Sequence, residues 1–107
     1  MEATLHIFIE YRIKEEHVQE YEALIEDIAA SLSEYGAEKF QWYAAEDQPN
    51  LYVELFKVPT KSHYHTLKKW RKSKEHPLFG KLDPVIDGGL EKLNCWAFQA
   101  RTDELKE

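Results

Sequence analysis

The chain has 107 residues, enough for one hydrophobic core but not two, and its 43% hydrophobic and 32% charged residues make an ordinary globular mix. A formal net charge of −6 argues against a general nucleic-acid binder and against docking on anionic lipid, because both need surplus Lys and Arg. The single cysteine, Cys95, excludes an intramolecular disulfide, and no apolar run approaches the ~20 residues of a membrane-spanning helix.

Residues 4–13 read as a strand, with Leu5, Ile7, Ile9, Tyr11 and Ile13 alternating with His6, Phe8, Glu10 and Arg12. Residues 15–35 read as a helix, because Val18, Tyr21, Ile25, Ile28, Leu32 and Tyr35 recur at three- and four-residue steps. Glu15 and Glu16 suit its positive N-terminal end, and Gly36 supplies a stop. Residues 38–46 and 51–58 read as two strands joined by the turn Asp47-Gln48-Pro49-Asn50, hence a hairpin. Thr60 can cap a second helix over residues 60–75, with His63, Tyr64, Leu67 and Trp70 on one face and Pro77 ending it. Residues 77–89 form a compact irregular segment, and residues 91–101 a last strand. The N-terminus, Met1-Glu2-Ala3-Thr4, has neither the basic start nor the apolar core of a signal peptide. Together with the lone thiol, this predicts a cytoplasmic location.

The order strand–helix–strand–strand–helix–strand predicts a single α+β domain over residues 1–107. Its architecture is a ferredoxin-like plait, with a four-stranded antiparallel sheet and both helices on one face. The helix charges agree, since the first helix is acidic and the second carries Lys61, Lys68, Lys69, Arg71, Lys72 and Lys74. Alternation then assigns Leu5, Ile7, Ile9, Phe40, Trp42, Leu51, Val53, Leu55, Leu93, Cys95 and Ala97 to the helix side. The opposite side receives His6, Phe8, Glu10, Gln41, Tyr43, Tyr52, Glu54, Phe56, Val58, Asn94, Trp96 and Phe98. Six large rings fall on that opposite side, each able to bury ~150–250 Å². Together they exceed the ~300–600 Å² of the largest apolar patch on a typical monomer. No chain is left over to cover them, so a second copy is the expected cover. His6, Phe8, Glu10, Tyr43, Tyr52, Glu54, Phe56, Trp96 and Phe98 are the expected interface of a homodimer.

The element order, the aromatic second face and the segment Trp70-Arg71-Lys72-Ser73-Lys74-Glu75-His76-Pro77-Leu78-Phe79 resemble the dimeric α+β barrel superfamily, best known from the antibiotic-biosynthesis monooxygenases. The resemblance implies binding or cofactor-free oxidation of a small aromatic or quinone-like molecule. Proton removal from a phenol in a water-excluding pocket would be the central step. It places that pocket between the sheet and the helices, lined by Tyr11, Trp42, Tyr64 and Phe79. His63 would act there as base or hydrogen-bond donor, and Trp70 as a stacking platform. The heme-degrading relatives are a poorer match, because Tyr11 stands where they carry an Asn before an Arg. Gly80 stands where they carry a His ten residues after the helical Trp. The competing expectation is a non-catalytic dimeric module whose pocket is filled by its own side chains. No metal or other cofactor is expected, since His63 and His65 point to opposite sides of a helix. Cys95 is expected to be a buried thiol.

Overall fold

The computed structural model describes residues 4–105. Strand β1 spans Leu5–Arg12, helix α1 Val18–Leu32, β2 Glu38–Ala44, β3 Leu51–Val58, α2 Lys61–Arg71 and β4 Asn94–Phe98. The four strands form one antiparallel sheet in the order β2-β3-β1-β4, with two helices, which is the ferredoxin-like α+β arrangement.

Local chemistry sets most of the element limits. Single 3-10 turns over Glu15–His17 and Ser33–Tyr35 flank α1, and Gly36 closes it at φ 85°, a conformation that costs glycine little. α1 buries Tyr21, Ile25, Ile28 and Leu32 along its apolar stripe. The Thr60 hydroxyl accepts from the backbone N–H of His63 at 3.1 Å and caps α2. α2 ends at Arg71 rather than at residue 75. Beyond it the backbone N–H of Glu75 turns to the Ser73 hydroxyl, and the N–H groups of Leu78 and Phe79 turn to His76 Nδ1. β4 is shorter than residues 91–101, because Leu90–Lys92 form a 3-10 turn after Gly89 at φ 79°.

The irregular segment belongs to the core. Phe79, Leu82, Val85, Ile86, Leu90 and Leu93 are buried, and Ile13 pairs with Ile86 across an isolated bridge. This segment closes the end of the helix–sheet layer beside β1.

One strand faces the other way from the alternation expected above. β1 pairs with β3 so that Ile7 lies opposite Phe56, Ile9 opposite Glu54 and Tyr11 opposite Tyr52. Directly opposed residues share a face, so Tyr52, Glu54, Phe56 and Val58 lie on the helix side. Leu51, Val53 and Leu55 lie on the open side with Arg12, Glu10 and Phe8. Both sets are mostly apolar, so β3's alternation is ambiguous, and Glu54 makes its own set look like the wet one. The expected interface positions Glu54 and Phe56 are therefore inside the protomer, and Tyr52 is half-buried against α1. The assignments on β1, β2 and β4 agree with the pairing. A register shift between Glu38 and Gln41, with Lys39 at φ 59°, keeps Phe40 on the helix side, where its ring stacks on Phe56.

Candidate functional site

Between the helices and the sheet, where the resemblance implied a ligand pocket, a polar chain runs through the core. Arg71 comes from the last turn of α2 and Glu54 from the middle of β3, and both side chains are 0% exposed. They meet in a two-pronged pair, Nη1 to Oε1 at 2.5 Å and Nη2 to Oε2 at 2.8 Å. Tyr11 donates to Glu54 Oε2 at 2.5 Å, and the Tyr11 and Tyr21 hydroxyls are 2.7 Å apart. Since Tyr11's proton is spent on Glu54, Tyr21 is the donor to Tyr11. Trp42 Nε1 in turn donates to the Tyr21 hydroxyl at 2.8 Å. The chain thus has one direction, from the Trp42 indole inward to a carboxylate held by a guanidinium.

Burial holds both phenols protonated. Tyr11 is raised well above the usual tyrosine value by desolvation, with the Glu54 charge adding to it. Desolvation likewise raises Tyr21, and outweighs the opposing effect of its hydrogen bond with Tyr11. Burial works against the charge on Arg71, but Glu54's charge and hydrogen bonds outweigh it and the net direction is upward. Arg71 Nε has no hydrogen-bond partner among the described residues, and Arg71 Cζ lies 5.2 Å from the centre of the Phe79 ring. Cys95 is buried, and burial pushes its thiol up to about 11, which makes it unreactive near neutrality.

A second cluster lies at the C-terminal end of α2. The His76 ring stacks on Phe79 with centroids 4.2 Å apart, and Trp70 meets His76 edge-on at 5.6 Å. His76 Nδ1 accepts from two backbone N–H groups at 3.1 and 3.0 Å, so the neutral ring carries its proton on Nε2. Nε2 then lies 3.0 Å from the Tyr35 hydroxyl as a donor. Burial first and Arg71 second lower the His76 pKa below the usual histidine value.

Of the residues expected to line the pocket, Tyr11 and Phe79 are in the interior. Trp42 lies at its outer edge, 40% exposed on the edge strand. His63 is exposed, with Nδ1 2.7 Å from the Thr60 hydroxyl and its ring against Gly36, so it does not face the sheet. Trp70 points to His76. The α2 residues that do face the sheet are Tyr64, Leu67 and Arg71, at helical three- and four-residue steps. His63 and Trp70 sit one position to the side of that stripe. Tyr21, Arg71, Tyr35 and His76 went unrecognised as site residues. Arg71 was findable in principle, because it continues the Leu67 stripe by four residues, and an inward Glu54 demands a buried cation.

A surface groove of about 560 Å³ lies between the first half of α2 and the end of β4, lined by Leu5, Lys61, Tyr64, His65, Ala97, Phe98, Gln99 and Arg101. Its volume is in the range of small-molecule sites. On the open face, Phe8 stacks on Trp96 at 5.5 Å and meets Phe98 edge-on at 6.4 Å. His6 lies between Lys57 and Phe98 in the pairing, and Glu10 Oε1 accepts from Asn94 Nδ2 at 3.1 Å. Tyr43, Trp96 and Phe98 are 48%, 44% and 54% exposed. Among the described residues no three His, Cys, Asp or Glu side chains gather as metal ligands would, and no helix is long and apolar enough to cross a membrane.

Comparison with known proteins supports this architecture. No family model and no curated protein matches the sequence. Solved structures do match. A cofactor-independent oxygenase, SnoaB from Streptomyces nogalater, is 14% identical over 92% of this chain and 93% of its own, with a TM-score of 0.69. An antibiotic biosynthesis monooxygenase is 12% identical over 90% and 97%, with a TM-score of 0.70. A conserved protein from Methanosarcina mazei Go1 is 19% identical over 92% and 94%, with a TM-score of 0.70. The chain therefore shares the ferredoxin-like α+β fold of these solved structures. At such identities the likeness defines the fold and leaves the chemistry to the residues of this chain.

Proposed function

We propose that the protein works as a homodimer joined through the open face of its sheet and that it binds a small aromatic or quinone-like molecule in the groove between α2 and β4. The observation that carries the dimer is the row Phe8, Trp96 and Phe98, continued by Leu55 and Val53 across the strands, which no element among the described residues covers. A patch of this kind on a monomer marks an interaction site, and a two-fold copy is the simplest partner.

The groove is favoured for the ligand because the space between α2 and the sheet is filled by the protein's own side chains. Tyr11, Tyr21, Leu67 and Phe79 are all sealed from solvent there. His63 and Trp70 do not line the groove and have no part in this reading. A second reading, cofactor-free oxidation of the bound ring by dioxygen, draws support from the likeness to SnoaB.

Sedimentation equilibrium tests the dimer: a species of twice 12.7 kDa is expected for the wild type and one of 12.7 kDa for Trp96→Glu. A wild-type monomer at micromolar concentration overturns it. Oxygen uptake with hydroquinones and anthrones separates the two readings, since binding without uptake leaves only the first.

A further inference from the structure

We propose that the groove between α2 and β4 selects aromatic carboxylates, its apolar floor taking the ring and its cationic rim the charge. This rests on the reading that the groove binds a ring, and it adds the sign and kind of the ligand's polar group.

The floor is Leu5 and Ala97, with the Tyr64 ring beside it. Tyr64 is held in place, its hydroxyl 3.4 Å from the Cys95 carbonyl oxygen and 3.4 Å from Lys68 Nζ. The polar residues of the lining are Lys61, His65, Gln99 and Arg101. Although the chain carries 20 Asp and Glu against 14 Lys and Arg, none of the described residues that line this groove is acidic. The helix that forms its wall, α2, carries Lys61, Lys68 and Lys69 outside the buried Arg71–Glu54 pair, and no acidic residue. The groove is a basic, ring-flanked concavity on an acidic protein, and electrostatic complementarity favours an anion there.

Arg101 is the group suited to a carboxylate, because its planar fork can donate two parallel hydrogen bonds. In the structure that fork is on Glu104, three residues along, with Nη2 2.7 Å from Oε1. Both partners are well over half exposed, at 70% and 60%. Exposed pairs of this kind contribute little, because water screens them. A ligand carboxylate can therefore take the place of Glu104 at little cost.

Isothermal titration of the full chain at neutral pH and low salt, with naphthoate and with the neutral naphthalenemethanol, tests this. Naphthoate is expected to bind about tenfold more tightly or better, a gap that narrows at high salt as exposed charges are screened. In Lys61→Gln/Arg101→Gln the gap should close, with the alcohol's affinity unchanged. Equal binding of the two probes overturns charge selection and leaves the ring-binding reading standing. Binding of neither overturns both. A naphthoate preference that survives the double substitution also overturns the proposal, because the anion is then held elsewhere.

Discussion

On the helix side of the sheet, Ile7, Ile9 and Tyr11 sit beside Phe56, Glu54 and Tyr52, and a carboxylate is sealed there at 0% exposure. On the open side, Phe8 sits between Leu55 and Trp96, and rings as large as Trp96 and Phe98 stand about half in water. The side that the protomer buries for itself contains a charge, and the side it leaves exposed is aromatic. Polarity of single residues therefore does not say which side is dry. What matters is whether each group finds its partner: Glu54 finds Arg71 and Tyr11 within the chain, while among the described residues the open-face rings of Phe8, Trp96 and Phe98 pack on one another.

The largest effect should come from breaking the buried pair. Arg71→Met leaves Glu54 buried without its cation, and is expected to cost about 3–5 kcal/mol by urea denaturation. Glu54→Gln/Arg71→Met removes the charge while keeping an acceptor for Tyr11, and should recover most of that loss. If Arg71→Met costs as little as a surface change, the helix side is not sealed as described.

An open-face change should behave differently. Phe8→Ser is expected to cost about 1–3 kcal/mol. That cost should grow with protein concentration, because wild-type stability is then linked to association. Thermal melts at two concentrations check it, and a cost independent of concentration would mean that Phe8 acts only within its own chain.

The smallest effect concerns the edge of the helix side. His76 is held below its ordinary pKa of ~6.5, so as pH falls the unfolded chain takes up this proton first. The stability it contributes is complete above that value and is lost as pH falls through the folded-state pKa. Urea midpoints from neutral pH down to about pH 5 should therefore fall more steeply for wild type than for His76→Gln.

Most of the fold was legible in the sequence. The stripe from Val18 to Leu32 specified α1, the Thr60 cap started α2, and the alternation in β1 placed Ile7 and Ile9 inward. The site was less legible. β3 offers two nearly equivalent apolar faces, and only its pairing with β1 chooses between them. His63 and Trp70 share a nominal helix face with Leu67, yet a rotation of α2 by one position puts Arg71 inward instead and turns those two aside.

By itself the sequence determined what local and periodic forces fix: the number, order and kind of elements, and most of their caps and stops. Tertiary structure alone decided which face of β3 looks inward, which α2 side chains meet the sheet, and that Glu54, Arg71, Tyr11, Tyr21 and Trp42 join into one chain of hydrogen bonds. The physical reason is that period tells which residues share a side, whereas burial of a charge depends on a partner tens of residues away, whose placement is set by packing.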